Sequence, residues 1–307
     1  MSAPYYIGID GGGSNSRLAA IDAKMNLLGS FLGGATNPSS MTFESLCETI
    51  SNLLNGFTAS SGLKLEDCAG MYIGAAGARV PGNAQKLIDA FNSIGYTGNL
   101  SIVSDAEIVL AGETHGEPGM IIISGTGSVG FATDNRRKLL RVGGRGHLID
   151  DGGSGYRIGM DGIKAAFLDY DGVGQKTGLT KLALEHFNVQ ALEDVLPYIY
   201  GKLYDKAQIA GFAMSVKLAS QQGDTVAKEI EIEAASNLIV LAKALIKKSE
   251  LFNGKLVISG SVIVNNKFIR ELFTHALSEE YPNVKIAEVS QKPEIGAAYL
   301  ALREYAE

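Results

Sequence analysis

Asp10 is followed by Gly11, Gly12, Gly13 and Ser14, inside the run YIGIDGGGSNSRLAAID at 6–22. A second cluster, Ser124-Gly125-Thr126-Gly127-Ser128, lies inside MIIISGTGSVGFATD at 120–134. Glycine lets a backbone turn sharply or come close to a ligand. Consecutive backbone N–H groups with hydroxyls beside them make a nest that holds an anion such as phosphate. A carboxylate next to phosphate would repel it unless a divalent cation lies between. Mg²⁺ favours one or two carboxylates together with water and phosphate oxygens. Asp10 is therefore read as a metal carboxylate; the alternative is a turn-stabilising Asx residue.

The elements around these clusters set the fold class. Tyr5–Ile9 and Arg17–Asp22 read as two strands with the glycines as a hairpin turn. Apolar spacing of three and four predicts helices over 39–57 and 83–94, with strands over 70–77 and 100–106. The 120–134 run is again a strand, a glycine turn and a strand. Setting Asp10-Gly11-Gly12-Gly13-Ser14 over Ser124-Gly125-Thr126-Gly127-Ser128 gives an offset of 114, with two glycines and a serine in place. Such self-similarity suggests a duplicated unit. Two related domains facing each other would bring both turns into one cleft. The second half reads as helical over 154–168, 180–187, 191–204, 206–221 and 224–251. A strand–glycine element follows at 255–266, then a helix over 267–280, a strand over 284–289 and a helix over 293–306. Alternating strands and helices place the chain in the α/β class.

Composition excludes several classes. The 307 residues suffice for two ordinary domains. Glycine, at 38 residues, exceeds the usual ~7% and clusters beside apolar runs. The net charge is −6, without the basic stripe of a nucleic-acid surface. No apolar run approaches the ~18–20 residues of a membrane span. The opening MSAPYYIGID lacks a basic flank and a cleavage site, so no secretory leader is expected. Cys47 and Cys68, the only cysteines, are not at metal-ligand spacing and read as free thiols in a reducing cytoplasm.

Gly125-Thr126-Gly127-Ser128-Val129-Gly130 satisfies the dinucleotide fingerprint G-x-G-x-x-G literally. That fingerprint needs a following helix to receive the pyrophosphate. Here VGFATDNRRKLLRVGG follows, which reads as a strand and a turn. The Rossmann reading is rejected. No G-x-x-x-x-G-K-[ST] is present either.

Taken together, the motifs resemble the N-acetylglucosamine kinase family, grouped with the BadF-type ATPases of the actin, hexokinase and heat-shock ATPase superfamily. The resemblance rests on GIDGGGSNSRLAAID, GGATNPSS (33–40), SDA (104–106), ISGTGSVGF (123–131), GGRGHLIDDGGSGYRIG (143–159), IAGFA (209–213), ISGSV (258–262) and EIGAAYLAL (294–302). It implies a two-domain actin-like (ribonuclease H-like) α/β fold with an interdomain cleft. Domain 1–118, completed by the C-terminal helix 293–307, would pair with domain 119–292, with hinges near 115–120 and 288–293. It implies a cytoplasmic homodimer using ATP and Mg²⁺ to phosphorylate the 6-hydroxyl of an amino sugar, with no nucleic-acid or membrane partner. Gly11, Gly12, Gly13, Ser14, Asn15, Gly125, Thr126 and Gly127 would grip the nucleotide, and Asp10 the metal. Gly260 would clear space for the nucleoside, and Ala210 would line that pocket or else pack as plain helix. Asn37, Asp105, Ser128, Val129, Gly144, Arg145, Gly146 and Asp151 would contact the sugar. Asp105, ending a strand ahead of a helix, would be the general base; its alternative is N-capping that helix. One rival reading is a BadF-type activator ATPase with an iron–sulfur cluster; a second is a non-catalytic, regulatory sugar sensor with the kinase fold.

Two departures stand out. The family's GGWG is Gly143-Gly144-Arg145-Gly146 here, and its GDEGS is DDGGS, so Asp151 is kept and Gly152 replaces a glutamate. Arg145 offers a fork of donors in place of an aromatic wall. That suits an anionic amino sugar such as N-acetylmuramic acid; the alternative is that Arg145 faces solvent or pairs with Asp150. His147 reads as a backbone-bonded structural histidine, His186 as a surface one, and KEIEIE at 228–233 as a solvated helix face.

Overall fold

The computed structural model describes residues 3–75, 77–134 and 138–306. The last two residues of the expected 70–77 strand and the turn after 133 thus fall partly outside the described residues. The chain forms two compact units, Met1–Pro118 with Val289–Glu307, and Gly119–Glu288. The second unit ends at 288, where the sequence reading carried it to 292.

In the first unit, β1 (Tyr5–Gly11), β2 (Asn15–Asp22) and β3 (Leu27–Gly34) form an antiparallel meander. β4 (Cys68–Ala75) and β5 (Leu100–Ser104) continue the sheet in parallel, in the order β3-β2-β1-β4-β5. The helices are α1 (Phe43–Ser61), α2 (Asn83–Ser93) and α3 (Asp105–Thr114). α1 starts later than the apolar spacing alone implies, because the Asn37–Ser40 turn precedes it and Thr42 caps it, accepting from the Ser45 N–H at 3.2 Å. β3 was not anticipated. Its glycines and exposed leucines do not read as a buried run.

In the second unit, β6 (Gly119–Ser124), β7 (Ser128–Thr133) and β8 (Leu139–Gly143) form a second antiparallel meander. Strands, not a helix, therefore follow the G-x-G-x-x-G segment. After α4 (Gly155–Tyr170), α5 (Leu179–Phe187), α6 (Leu196–Tyr200), α7 (Lys206–Gly211), α8 (Ala213–Gln221) and α9 (Thr225–Ser249), the chain re-enters the sheet as β9 (Lys255–Ser259). α10 (Ser261–Asn265), α11 (Lys267–Glu280) and β10 (Lys285–Glu288) complete the unit. Its strand order, β10-β9-β6-β7-β8, repeats the pattern of the first sheet, with the fourth and fifth strands of the unit again parallel to their inner neighbours. The expected 191–204 helix is reduced to a 3₁₀ turn over Leu192–Val195 and the short α6, which ends at Gly201.

The chain returns to the first unit with α12 (Pro293–Tyr305). α1 and α2 cover one face of the first sheet around Leu46, Ile50, Leu53, Phe57 and Phe91. α12 and α3 cover the other, around Tyr6, Ile108, Ala297 and Ala301. Burying both faces explains why β1 and β4 read as unbroken apolar runs.

Candidate active site

The first glycine turn closes at the end of β1. Gly11 pairs with Ser16, so four residues connect the paired positions, and the Gly12 N–H donates to the Asn15 carbonyl at 3.1 Å. A Cβ on Gly12 would lie 2.6 Å from that carbonyl oxygen. The second turn is tighter. Ser124 pairs with Ser128 across three residues, and the Gly125 N–H donates to the Gly127 carbonyl at 3.0 Å. The offset of 114 therefore does not hold through both arms of the hairpins. Gly13, Ser14 and Asn15 are exposed at the first turn, as Thr126 is at the second.

A strap holds the first turn in place. The Thr36 N–H donates to the Gly12 carbonyl at 3.1 Å, and the Ser16 and Thr36 hydroxyls share a buried 2.7 Å hydrogen bond. Asn37 follows directly. Its Oδ1 accepts from the Ser39 N–H at 2.9 Å, and its Nδ2 lies 3.9 Å from where a Gly13 Cβ would be. Asn37 thus sits beside the turn with its amide N–H₂ uncommitted within the strap.

Asp10 is half-buried, and Arg17 Nη1 stands 4.0 Å from its Oδ2. Burial, then the carboxylates of Glu294 and Asp105, push the Asp10 pKa up, while Arg17 acts in the opposite sense. Asp105 is the first residue of α3 and is exposed. It does not cap the helix. Ser104 is the cap residue, and Glu107 Oε2 accepts from both the Ser104 N–H at 2.8 Å and its hydroxyl at 2.7 Å. The Asp105 carboxylate takes one local hydrogen bond, from the Ala106 N–H to Oδ1 at 2.9 Å.

In the second unit the glycine turn is fastened to the start of α4. The Gly155 N–H donates to the Gly125 carbonyl at 2.7 Å and the Tyr156 N–H to the Thr126 carbonyl at 3.2 Å. The Ser124 hydroxyl donates to the Gly153 carbonyl at 2.7 Å and the Ser128 hydroxyl to the Gly152 carbonyl at 2.8 Å. Ser128 is buried and its proton is used in this fastening, which leaves only its acceptor capacity for a ligand. Asp151 is 3% exposed and held at φ +75°. Its Oδ1 accepts from the Ser128 N–H at 3.2 Å, and Lys206 Nζ lies 3.3 Å from its Oδ2. Nothing in the sequence singled out Lys206.

A pocket of about 230 Å³ opens beside this turn, lined by Gly125, Thr126, Ala210, Lys217, Ser261 and Asn266 among others. Small residues dominate its walls, and Ala210 both lines the pocket and packs against the core. Gly260 is not a wall. At φ +95°, a Cβ there would run into the Ser124 backbone of β6, so the close approach of the neighbouring strand by itself requires glycine. Gly144, at φ +67°, packs against Val129, and Gly146 is at φ +103°. Between them Arg145 is exposed; its backbone N–H reaches Asp150 Oδ2 at 3.5 Å, and its guanidinium has no ion-pair partner among the described residues.

Other expectations are revised. His147 is bonded to a side chain, with Nε2 3.1 Å from the Tyr204 hydroxyl, and packs edge-on against Tyr156. His186 is half-buried, with Nε2 2.9 Å from the Gln208 carbonyl. Glu231, within KEIEIE, is 2% exposed and accepts from Asn266 Nδ2. Cys47 is hydrogen-bonded to Ser93, and burial pushes the Cys68 thiol up to about 11. Among the described residues no group of three or more His, Cys, Asp and Glu side chains is assembled for a metal, and no helix is long and apolar enough to cross a membrane.

Comparison with known proteins agrees with this architecture. The chain is 36% identical over 302 residues to an N-acetylmuramic acid/N-acetylglucosamine kinase of Clostridium acetobutylicum, covering 98% of this chain and 99% of that one. It is 30% identical over 326 residues to an N-acetyl-D-glucosamine kinase of Dictyostelium discoideum, covering 98% and 99%. The solved structure of a candidate N-acetylglucosamine kinase from Chromobacterium violaceum matches its fold with a TM-score of 0.72 at 22% identity, covering 98% of this chain and 100% of that one. The model of the BadF/BadG/BcrA/BcrD ATPase family matches residues 7–301, and the chain belongs to that family.

Proposed function

We propose that the protein is an ATP-dependent amino-sugar kinase that phosphorylates the 6-hydroxyl of N-acetylglucosamine, N-acetylmuramic acid or a close relative. The observation that carries the reading is Asp105. Its carboxylate is exposed at the start of α3 while Ser104 and Glu107 do the capping. Near-full-length likeness to proteins named as amino-sugar kinases supports the substrate class.

Asp105 accepts the proton of the sugar hydroxyl as that oxygen forms its bond to the γ-phosphorus. The bond from the γ-phosphorus to the bridging oxygen breaks, and ADP leaves with the electron pair. Base catalysis of this kind contributes ~10²–10⁴ in rate; positioning and charge neutralisation supply most of the rest. The pocket by Gly125, Thr126, Ala210 and Ser261 takes the nucleoside, and the N–H groups of the glycine turns take the phosphates. Asn37 and Asp151 offer donors and acceptors to neighbouring sugar hydroxyls. Asp10 fits a Mg²⁺ role, because burial and like charge already disfavour its bare ionised form. The cation would neutralise phosphate charge.

The test is ADP release measured against a panel of N-acetylglucosamine, N-acetylmuramic acid, glucosamine and glucose, with the product's phosphate located by NMR. Amino-sugar-dependent release with a 6-phosphate is expected. Release independent of sugar, or none, overturns the reading.

A further inference from the structure

Glu294 is the second residue of α12 and is 3% exposed. Its Oε2 is buried without a hydrogen-bond partner among the described residues. A carboxylate oxygen withdrawn from water and left unpaired is costly, and native folds keep such a group where something else completes it.

The packing of α12 on β1 shows what lies in front of that oxygen. A Cβ on Gly70 would collide with the ring of Tyr305, at the far end of α12. A Cβ on Gly8 would collide with the backbone of Glu294 and Ala298, near its start. Gly70 pairs with Tyr6 across the sheet. Advancing along β1 from Tyr6 through Gly8 to Asp10 therefore runs back along α12 towards its N-terminus. Gly8 and Asp10 are two apart and face the same side of the sheet. Helical side chains lean towards the N-terminus of their helix, which carries the Glu294 carboxylate on towards Asp10. The electrostatics agree: of all charged groups, Glu294 acts most strongly on Asp10, and Asp105 adds to it. Against these three carboxylates stands Arg17, at 4.0 Å from Asp10 and half-exposed.

We propose that Glu294 acts with Asp10 as a second protein ligand, direct or through water, for a divalent cation at the C-terminal end of β1. Two carboxylates with water and phosphate oxygens are the usual donor set of Mg²⁺. The inference rests on the reading of Asp10 given above and names the residue that completes it.

Mn²⁺ is the probe, titrated into the nucleotide-free protein and into its ADP complex, with free Mn²⁺ read by electron paramagnetic resonance. Glu294→Gln keeps the shape and removes the charge. It is expected to weaken Mn²⁺ binding at least tenfold, as is Asp10→Asn. Glu304→Gln, at the other end of α12, is expected to leave binding unchanged. If Glu294→Gln does not fold by circular dichroism, Glu294→Asp, which keeps the charge and shortens its reach, is measured instead. Undiminished Mn²⁺ affinity in the folded Glu294 variant overturns the proposal, and so does equal weakening by Glu304→Gln. The readout needs neither sugar nor turnover. A protein that releases no ADP with any sugar yet needs Glu294 for Mn²⁺ refutes the kinase reading alone; the reverse pattern refutes this inference alone.

Discussion

Lys206 Nζ lies 3.3 Å from Asp151 Oδ2, and the two differ sharply in exposure: the lysine side chain is a third exposed, the aspartate side chain nearly dry. Asp151 also accepts the Ser128 N–H, so the pair links the start of α7 to the second glycine turn. Removing one member of a buried pair leaves an uncompensated charge, which costs far more than the pair itself contributes. Lys206→Met is expected to destabilise the protein by about 2 kcal/mol, below the fully buried range because water reaches the lysine. That corresponds to a fall in Tm of about 4–8 °C. Adding Asp151→Asn removes the stranded charge and is expected to restore much of the loss. Thermal unfolding of the two single variants and the double variant checks this. An unchanged Tm in Lys206→Met would show that the contact is idle.

Asp105→Asn isolates the proposed base. The side chain is exposed and outside the helix cap, so the substitution is expected to leave Tm and sugar affinity nearly unchanged. Turnover is expected to fall about 10²–10⁴-fold. Steady-state kinetics with sugar binding measured separately by calorimetry distinguishes the cases. Full turnover in the variant rejects the assignment.

Much of this site could be read from the chain because its parts are local. A glycine turn between apolar strands, and an aspartate between a strand and a helix, need only neighbours in sequence. What escaped notice depends on distant partners. β3 has its partner in α1, where Gly33 packs against Leu53, twenty residues on. The break of the expected 206–221 helix at Phe212 falls where Gly159 of α4 meets the Ile209 carbonyl. Glu231 was readable in principle. Ala227, Ala234 and Leu238 are buried at helical spacing around it, which places it on the inner stripe of α9. The alternation of charges in KEIEIE hid that period. Glu294 was likewise visible as a lone charge in an otherwise apolar helix start, but only the approach of α12 to β1 gives it a neighbour in Asp10.

Asp10 sets a pH dependence. Its pKa is raised in the folded state above the ordinary 3.8, first by burial and then by Glu294. A raised carboxylate favours the folded state while protonated, and that advantage is lost as pH rises through its folded pKa. At neutral pH, without divalent cation, ionised Asp10 therefore weighs against folding. Asp10→Asn is expected to have a higher Tm than the wild type at pH 7. The difference is expected to shrink as pH falls through the raised pKa towards 3.8, where the wild-type carboxyl takes up its proton. Melting curves in chelator from pH 7 to pH 4 measure it. A lower Tm for the variant throughout contradicts the assignment.

Arg145 bears on which amino sugar the pocket accepts. Flanked by glycines in left-handed conformations, it carries an exposed guanidinium without an ion-pair partner among the described residues, while its backbone is tethered to Asp150. The pairing with Asp150 foreseen as an alternative is made by the backbone and leaves the fork of donors uncommitted. On the kinase reading, a lactyl carboxylate is a partner that a neutral amino sugar lacks. A hydrogen bond to a charged group contributes about 1.5–3 kcal/mol, or roughly 10–100-fold in kcat/KM. Arg145→Trp is expected to lower kcat/KM for N-acetylmuramic acid by that factor and to leave N-acetylglucosamine within about threefold. The ratio of the two specificity constants, measured side by side in wild type and variant, decides it. If the ratio does not move, the guanidinium faces only water.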